Sequence, residues 1–289
     1  MELYPGLQVL PCSFESGRTI NVSLFSGQHC LLVDAGVAST PADCIIPALH
    51  ALGLSPRDLD WLLCTHAHAD HLGGMAALFD ASGGRLRVLA HALDARAIAD
   101  HRYLAAVVNG MTDEASIAAY LARCGPDVPV HIALQGGEMI DLGGLTLEVI
   151  HAPGHTPGNL ALFEPAHGAL IHGESVMPAP QAGAAGLCAT THLGSDPVAY
   201  RSALQRLQAL PFTWFVPSHE PPMDKDAGRQ RIAAALADLD AFEAAVRKAV
   251  HGRPEDTAAL AKAVAVAGKY QQSPAFESQV AAVARALTA

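Results

Sequence analysis

A chain of 289 residues that is 51% hydrophobic and only 16% charged can bury the core of one large domain, or of a domain with an appendage. Its net charge of −10 argues against a general polyanion partner, which excludes nucleic acid and anionic membrane surfaces as partners of the surface at large. No apolar run approaches the roughly 20 residues needed to cross a bilayer.

Taken in order, Ile20–Phe25 and Leu31–Val33 read as short strands around a turn at Gly27, and Ala42–Leu52 carries apolar residues at helical spacing up to Gly53. Trp61–Thr65 reads as a buried strand and runs into Thr65-His66-Ala67-His68-Ala69-Asp70-His71-Leu72-Gly73-Gly74. A strand end aims side chains i and i+2 the same way, so His66 and His68 can share one ion. A helix would turn them about 200° apart. As the chain bends, Asp70 and His71 swing toward a second point nearby. His-x-His-x-Asp-His is therefore read as a metal site.

Leu93–Arg123 is an excursion of two helical pieces, Leu93–Asp100 and Glu114–Arg123, around a looser Tyr103–Thr112. It is either a lid over the site or a covering helix pair, with Tyr103, Met111 and Tyr120 the residues of interest. Met139–Asp141 and Leu145–Ile150 form a hairpin that ends in His151-Ala152-Pro153-Gly154-His155-Thr156-Pro157-Gly158, a loop whose prolines and glycines can hold His155 rigidly. Leu160–Phe163 pairs with Ala169–Ile171, which leads to His172-Gly173-Glu174. Pro197–Leu210 is an amphipathic helix, and Trp214–Val216 a strand ending at Pro217-Ser218-His219. Metal-capable residues thus recur at strand ends, at 66–71, 155, 174 and 219. Strands alternating with helices and ending at one rim describe a layered α/β sandwich of αββα type.

From Asp226 onward Ile232, Leu236, Leu239, Phe242, Val246 and Val250 form a helical stripe, broken at Gly252 and Pro254. Ala258–Ala267 and Phe276–Leu287 read as further helices. They serve as a cap or a dimer surface, with Lys262, Lys269 or Tyr270 the side chains able to reach a substrate tail. The six cysteines (Cys12, Cys30, Cys44, Cys64, Cys124, Cys188) include no C-x-x-C pair, and several lie in apolar runs as reduced core thiols do. Met1–Pro5 lacks the basic and apolar regions of a signal peptide, so the cytoplasm is the expected compartment.

This ordered set of motifs resembles the metallo-β-lactamase-fold hydrolase superfamily, in its glyoxalase II and lactonase-like branch, over about Ile20–Pro222. The resemblance implies a four-layer αββα sandwich over residues 1–225, with a C-terminal helical extension over 226–289. It implies a first metal on His66, His68 and His155, and a second on Asp70, His71 and His219. Where the family places a bridging aspartate, this chain has Glu174, whose extra methylene lets it bridge, bind one metal or miss. His151 and His172 flank ligands, as second-sphere donors or as packed core imidazoles. Zinc is the first expectation for one or two divalent ions, and iron or manganese suit the same N/O donors.

The implied chemistry is attack by a metal-bound hydroxide on an ester-like bond, with the ions taking up oxyanion charge and Asp70 orienting the hydroxide. No G-x-S-x-G elbow supports a serine nucleophile. The leading expectation is a metallohydrolase of a small-molecule thioester or lactone, without nucleic-acid or membrane partners and compatible with a homodimer. A β-lactamase and an RNase Z-like nuclease are disfavoured. The alternatives are a mononuclear iron enzyme of persulfide-dioxygenase type and a regulatory, ligand-binding member with little turnover.

Overall fold

Period-two alternation along the strands decides the architecture of the computed structural model, which describes residues 1–15, 17–177, 196–250, 258, 260–262, 264 and 274–288. The chain divides into two compact units. The first comprises Met1–His151, Gly158–Glu174 and Pro211–Lys225, and the second Ala152–Pro157, Ser175–Leu210 and Asp226–Ala289.

The first unit holds two sheets. One is seven-stranded and follows chain order: β1 (Glu2–Tyr4), β2 (Leu7–Phe14), β3 (Arg18–Ser26), β4 (Cys30–Val33), β5 (Trp61–Leu63), β6 (Arg87–His91) and β7 (Ile132–Leu134). Pairing is antiparallel up to β4 and parallel from β4 to β7. The other is six-stranded and contains β8 (Met139–Asp141), β9 (Thr146–His151), β10 (Leu160–Glu164), β11 (Ala169–Ile171), β12 (Trp214–Val216) and β13 (Met223–Asp224). It is antiparallel except between β11 and β12.

Phe25, Leu31, Val33, Leu63 and Leu89 of the first sheet pack with Leu147, Val149, Leu160, Leu162 and Val216 of the second. The alternate residues Val22, Leu24, Leu32, Leu62 and Val88 face the other way, onto Ile45, Leu49, Leu72, Met75 and Ile98 of the helical segments. Buried on both faces, the central strands read as unbroken apolar runs.

Several details differ from the sequence reading. Strands β1, β2, β7 and β13 were not anticipated; β2 contains Pro11, which argues against a strand unless the ladder tolerates it, and here Pro11 sits opposite Asn21. The segment expected to be loose after Tyr103 is helical through Val108, as a wide turn over Leu104–Val108. Helix Glu114–Cys124 packs against the short helix Ala69–Leu72, so the excursion covers the histidine motif's own helix. Reduced thiols were expected, but Cys12 on β2 and Cys44 in the turn Pro41–Ile45 are joined in a disulfide, because the fold brings their Cα atoms to 5.6 Å. Cys30, Cys64 and Cys124 are free and buried, and burial pushes each thiol up, away from the nucleophilic thiolate.

In the second unit, Asp196 caps helix Pro197–Ala209 by accepting from the Val198 and Ala199 amides. Arg201 on that helix pairs with Asp240 and Glu243 of helix Lys225–Val250. The expected stripe is buried at Ile232, Leu239, Phe242 and Val246, the last two packing with Val280 and Val283 of helix Pro274–Thr288. Cys188, Gly252, Pro254, Lys269, Tyr270 and much of the expected helix 258–267 lie outside the described residues. No helix among the described residues is long and apolar enough to cross a membrane.

Candidate metal centre

Strand β5 stops at Leu63, two residues before Thr65, so the histidines do not leave a strand as expected. His66 and Ala67 form a bend, closed by the His68 amide donating to the His66 carbonyl, and His68 is extended at the start of helix Ala69–Leu72. The two rings meet edge-on at 83°, and their nitrogens still converge: His66 Nε2 lies 2.9 Å from His68 Nδ1. The bend achieves what strand alternation was expected to achieve.

Glu174 arrives from the second sheet. Gly173, at φ +56 with Thr65 packed where a Cβ would stand, turns the chain sharply after β11. Glu174 Oε2 then lies 3.1 Å from His66 Nε2, 3.7 Å from His68 Nδ1 and 3.7 Å from His71 Nε2, while Oε1 lies 3.4 Å from His219 Nε2. His219 Nε2 is also 3.7 Å from Asp70 Oδ2. One carboxylate therefore stands between two histidine groups.

The far sides of two rings are tied down. His71 Nδ1 bonds Asp34 Oδ2 at 2.8 Å, and His219 Nδ1 donates to the Thr19 carbonyl at 2.7 Å. These bonds leave Nε2 as the open nitrogen of each ring, and in both cases Nε2 is buried without a hydrogen-bond partner. Imidazoles held at Nδ1 and orphaned at Nε2 beside two carboxylates fit a divalent metal, in the manner of carboxylate–histidine–metal arrangements. Burial works against charge on His71, but Asp34, Asp70 and Glu174 outweigh it and lift the imidazole to about 9. Burial would raise the Asp70 carboxyl and Glu174 adds to that, yet His71, His219 and His68 hold it below its ordinary value. The same carboxylates that draw a proton onto His71 favour positive charge at the site.

His66, His68, Asp70, His71, Glu174 and His219 thus come together within the first unit. His155 is buried on the loop Ala152–Pro157, which groups with the second unit. There the Asp196 amide donates to the Gly154 carbonyl, and Gly154, at φ +135, packs against Tyr200 where no Cβ would fit. His151 stacks on His91 at 3.9 Å, and His172 packs on Phe215 at 4.3 Å. Of the excursion residues, Tyr103 lies under the Arg96 guanidinium, and Tyr120 is half-buried near Asp70.

Four supporting residues were missed. Asp34 accepts from the Thr65 amide and hydroxyl as well as from His71. Asp94 accepts from the Ala67 amide at 3.1 Å and the Gly158 amide at 2.8 Å. Asn21 donates to the Pro217 and Glu220 carbonyls either side of His219. Arg18 reaches Asp70 Oδ2 at 3.4 Å from above the Phe14 ring. Only Asp34 left a trace in the sequence, at the end of a strand before Ala35-Gly36.

A two-sheet sandwich with a histidine–carboxylate cluster at strand ends defines a metal-binding α/β protein. The chain belongs to the metallo-β-lactamase superfamily, whose family model matches residues 16–219. It is similar to a metallo-β-lactamase family protein of Thermus thermophilus, with a TM-score of 0.71, 22% identity, and coverage of 99% of this chain and 94% of that one. That likeness supports the expected αββα sandwich. Among curated relatives, a hydroxyacylglutathione hydrolase of Aeromonas hydrophila is 34% identical over 63% of this chain and 53% of its own length. An acyl-coenzyme A thioesterase, MBLAC2, of Gallus gallus is 31% identical over 56% of this chain and 60% of its own. The chain spans little more than half the length of these curated relatives.

Proposed function

We propose that the protein is a metal-dependent hydrolase of a small-molecule thioester. The observation that carries this reading is Glu174 standing between His66 and His68 on one side and Asp70, His71 and His219 on the other. This donor set would hold two divalent ions, zinc before iron or manganese. When bound, such ions acidify a water and polarise a carbonyl.

The chain's own residues do the rest. Asp34 and the Thr19 carbonyl fix which nitrogens of His71 and His219 face the site. Asp70, kept ionised, accepts the proton of the attacking water and returns it to the leaving thiolate. Arg18, beside Asp70, is placed to meet an anionic part of the substrate. The buried free thiols are pushed toward the neutral form, which favours water as the nucleophile.

The names of the two curated relatives favour a thioester over a lactone. Two carboxylate oxygens facing two histidine groups favour a dinuclear site over a mononuclear iron centre of persulfide-dioxygenase type. A regulatory member with little turnover remains the non-enzymatic reading. The acidic net charge supports a small-molecule partner over nucleic acid or membrane, and the C-terminal helices are the surface for a homodimer. For the cytoplasmic expectation, the Cys12–Cys44 bond pulls the other way, toward an oxidising compartment.

Elemental analysis of purified protein, followed by a thioester, lactone, phosphodiester and β-lactam panel with and without chelator, tests the proposal. Between one and two equivalents of metal and chelator-sensitive thioester cleavage are expected. Absence of transition metal with no uptake on reconstitution ends it.

A further inference from the structure

A cleft of about 350 Å³ opens beside His219, within the size range of small-ligand pockets. Strand alternation builds it. Val9 and Pro11 share one face of β2, Thr19 and Asn21 the same face of β3, and the register sets Pro11 opposite Asn21. Pro221, Pro222 and Met1 also line the cleft. Val9 also belongs to the core between the two sheets, so the cleft continues that core outward to the rim where His219 stands.

We infer that this cleft takes the acyl chain of the substrate, an unbranched uncharged chain longer than acetyl, and so sets the protein's acyl-length preference. The inference rests on the thioesterase reading above. Most of the lining residues are apolar, and Asn21 has its amide nitrogen engaged by the Pro217 and Glu220 carbonyls at 2.8 and 2.6 Å, so it offers a chain no donor. The acidic side chain at the edge is Glu220, which repels a carboxylate or phosphate. A thioester has two arms, and the thiol carriers that bear acyl groups are anionic. The cleft suits the other arm, and His219 at its edge places the carbonyl end of that arm beside the metal-binding cluster.

The test uses the metal-reconstituted protein and acetyl, butyryl, hexanoyl and octanoyl thioesters of N-acetylcysteamine. kcat/KM is expected to rise about fourfold per buried methylene and to level off once the cleft is full. Thr19→Trp and Pro222→Trp, which place a bulky ring at two lining positions far apart in the sequence, should each lower the octanoyl-to-acetyl ratio at least tenfold. Thioester cleavage with no dependence on chain length, or an unchanged ratio in both variants, overturns the inference while leaving the hydrolase reading intact. If no thioester is cleaved, that reading falls, and binding of octanamide followed by NMR still decides the cleft. Perturbed Thr19 and Asn21 backbone amides support an acyl cleft, and unperturbed ones overturn it.

Discussion

Asp34 Oδ2 lies 2.8 Å from His71 Nδ1, and this pairing decides which nitrogen of His71 faces the cluster. Asp34 also bonds the Thr65 amide and hydroxyl, so one carboxylate fixes both the ring and the start of the histidine loop.

Asp34 stands at φ +65, a conformation that asparagine tolerates, so Asp34→Asn isolates the charge from the backbone. Asparagine offers one acceptor where both oxygens of Asp34 accept, so its NH₂ faces either Thr65 or the ring, and His71 loses the carboxylate that raises its basicity. Affinity for the ion held by Asp70, His71 and His219 is expected to fall by about 10- to 100-fold. Competition titration against a chromophoric chelator measures it, and native affinity in Asp34→Asn would mean that His71 holds no metal.

Asp94 bridges the backbone of two loops, at Ala67 between the first two histidines and at Gly158. Asparagine supplies one acceptor where two are needed and sets an NH₂ against an N–H. Asp94→Asn should cost about 1–3 kcal/mol of stability, roughly 2–12 °C in Tm. It should also weaken retention of the ion at His66 and His68. Loss of stability with unchanged metal retention would make Asp94 a fold residue only.

Much of the centre was legible in the sequence because its donors come in short, chemically unusual runs. His66, His68, Asp70 and His71 need no tertiary information, and Glu174 and His219 were found by their place after apolar strands. The supporting residues were not legible: Asn21 meets Pro217 and Glu220 across 196 and 199 residues of sequence, and Asp94 has no motif around it. The mechanism of convergence was also misjudged, since a bend at His66–Ala67 replaces strand alternation. The Cys12–Cys44 bond escaped because the pairing depends on β2, a strand whose Pro11 masks it.

That disulfide closes a loop of 32 residues of sequence separation, and loss of such a cross-link costs about 3–4 kcal/mol in the chain-entropy account. Cys12→Ser/Cys44→Ser should therefore melt lower by about 6–16 °C, with metal content little changed because neither residue belongs to the cluster. Mass spectrometry after alkylation of protein taken directly from cells reports whether the pair is closed in place. A pair found fully reduced supports the cytoplasm, and a closed one argues for an oxidising compartment.

Glu174 carries the sharpest expectation, because its carboxylate reaches both histidine groups: Oε2 lies near His66, His68 and His71, and Oε1 near His219. A carboxylate so placed is stabilised by cations on both sides, and without them its burial would cost several kcal/mol. Glu174→Ala should reduce bound metal from about two equivalents toward one and remove most turnover, since the Asp70, His71 and His219 group loses a shared ligand. Glu174→Asp keeps the charge but shortens the reach by one methylene, and it should hold two ions at least as well as the native protein. Glu174→Gln keeps the length and loses the charge, so it should resemble the alanine variant in metal content while folding like the native chain. Titration of zinc against all four proteins, followed by inductively coupled plasma analysis after dialysis, reads these outcomes directly. Equal stoichiometry and affinity in the native, alanine and glutamine proteins would remove Glu174 from the ligand set and leave the two histidine groups as independent sites.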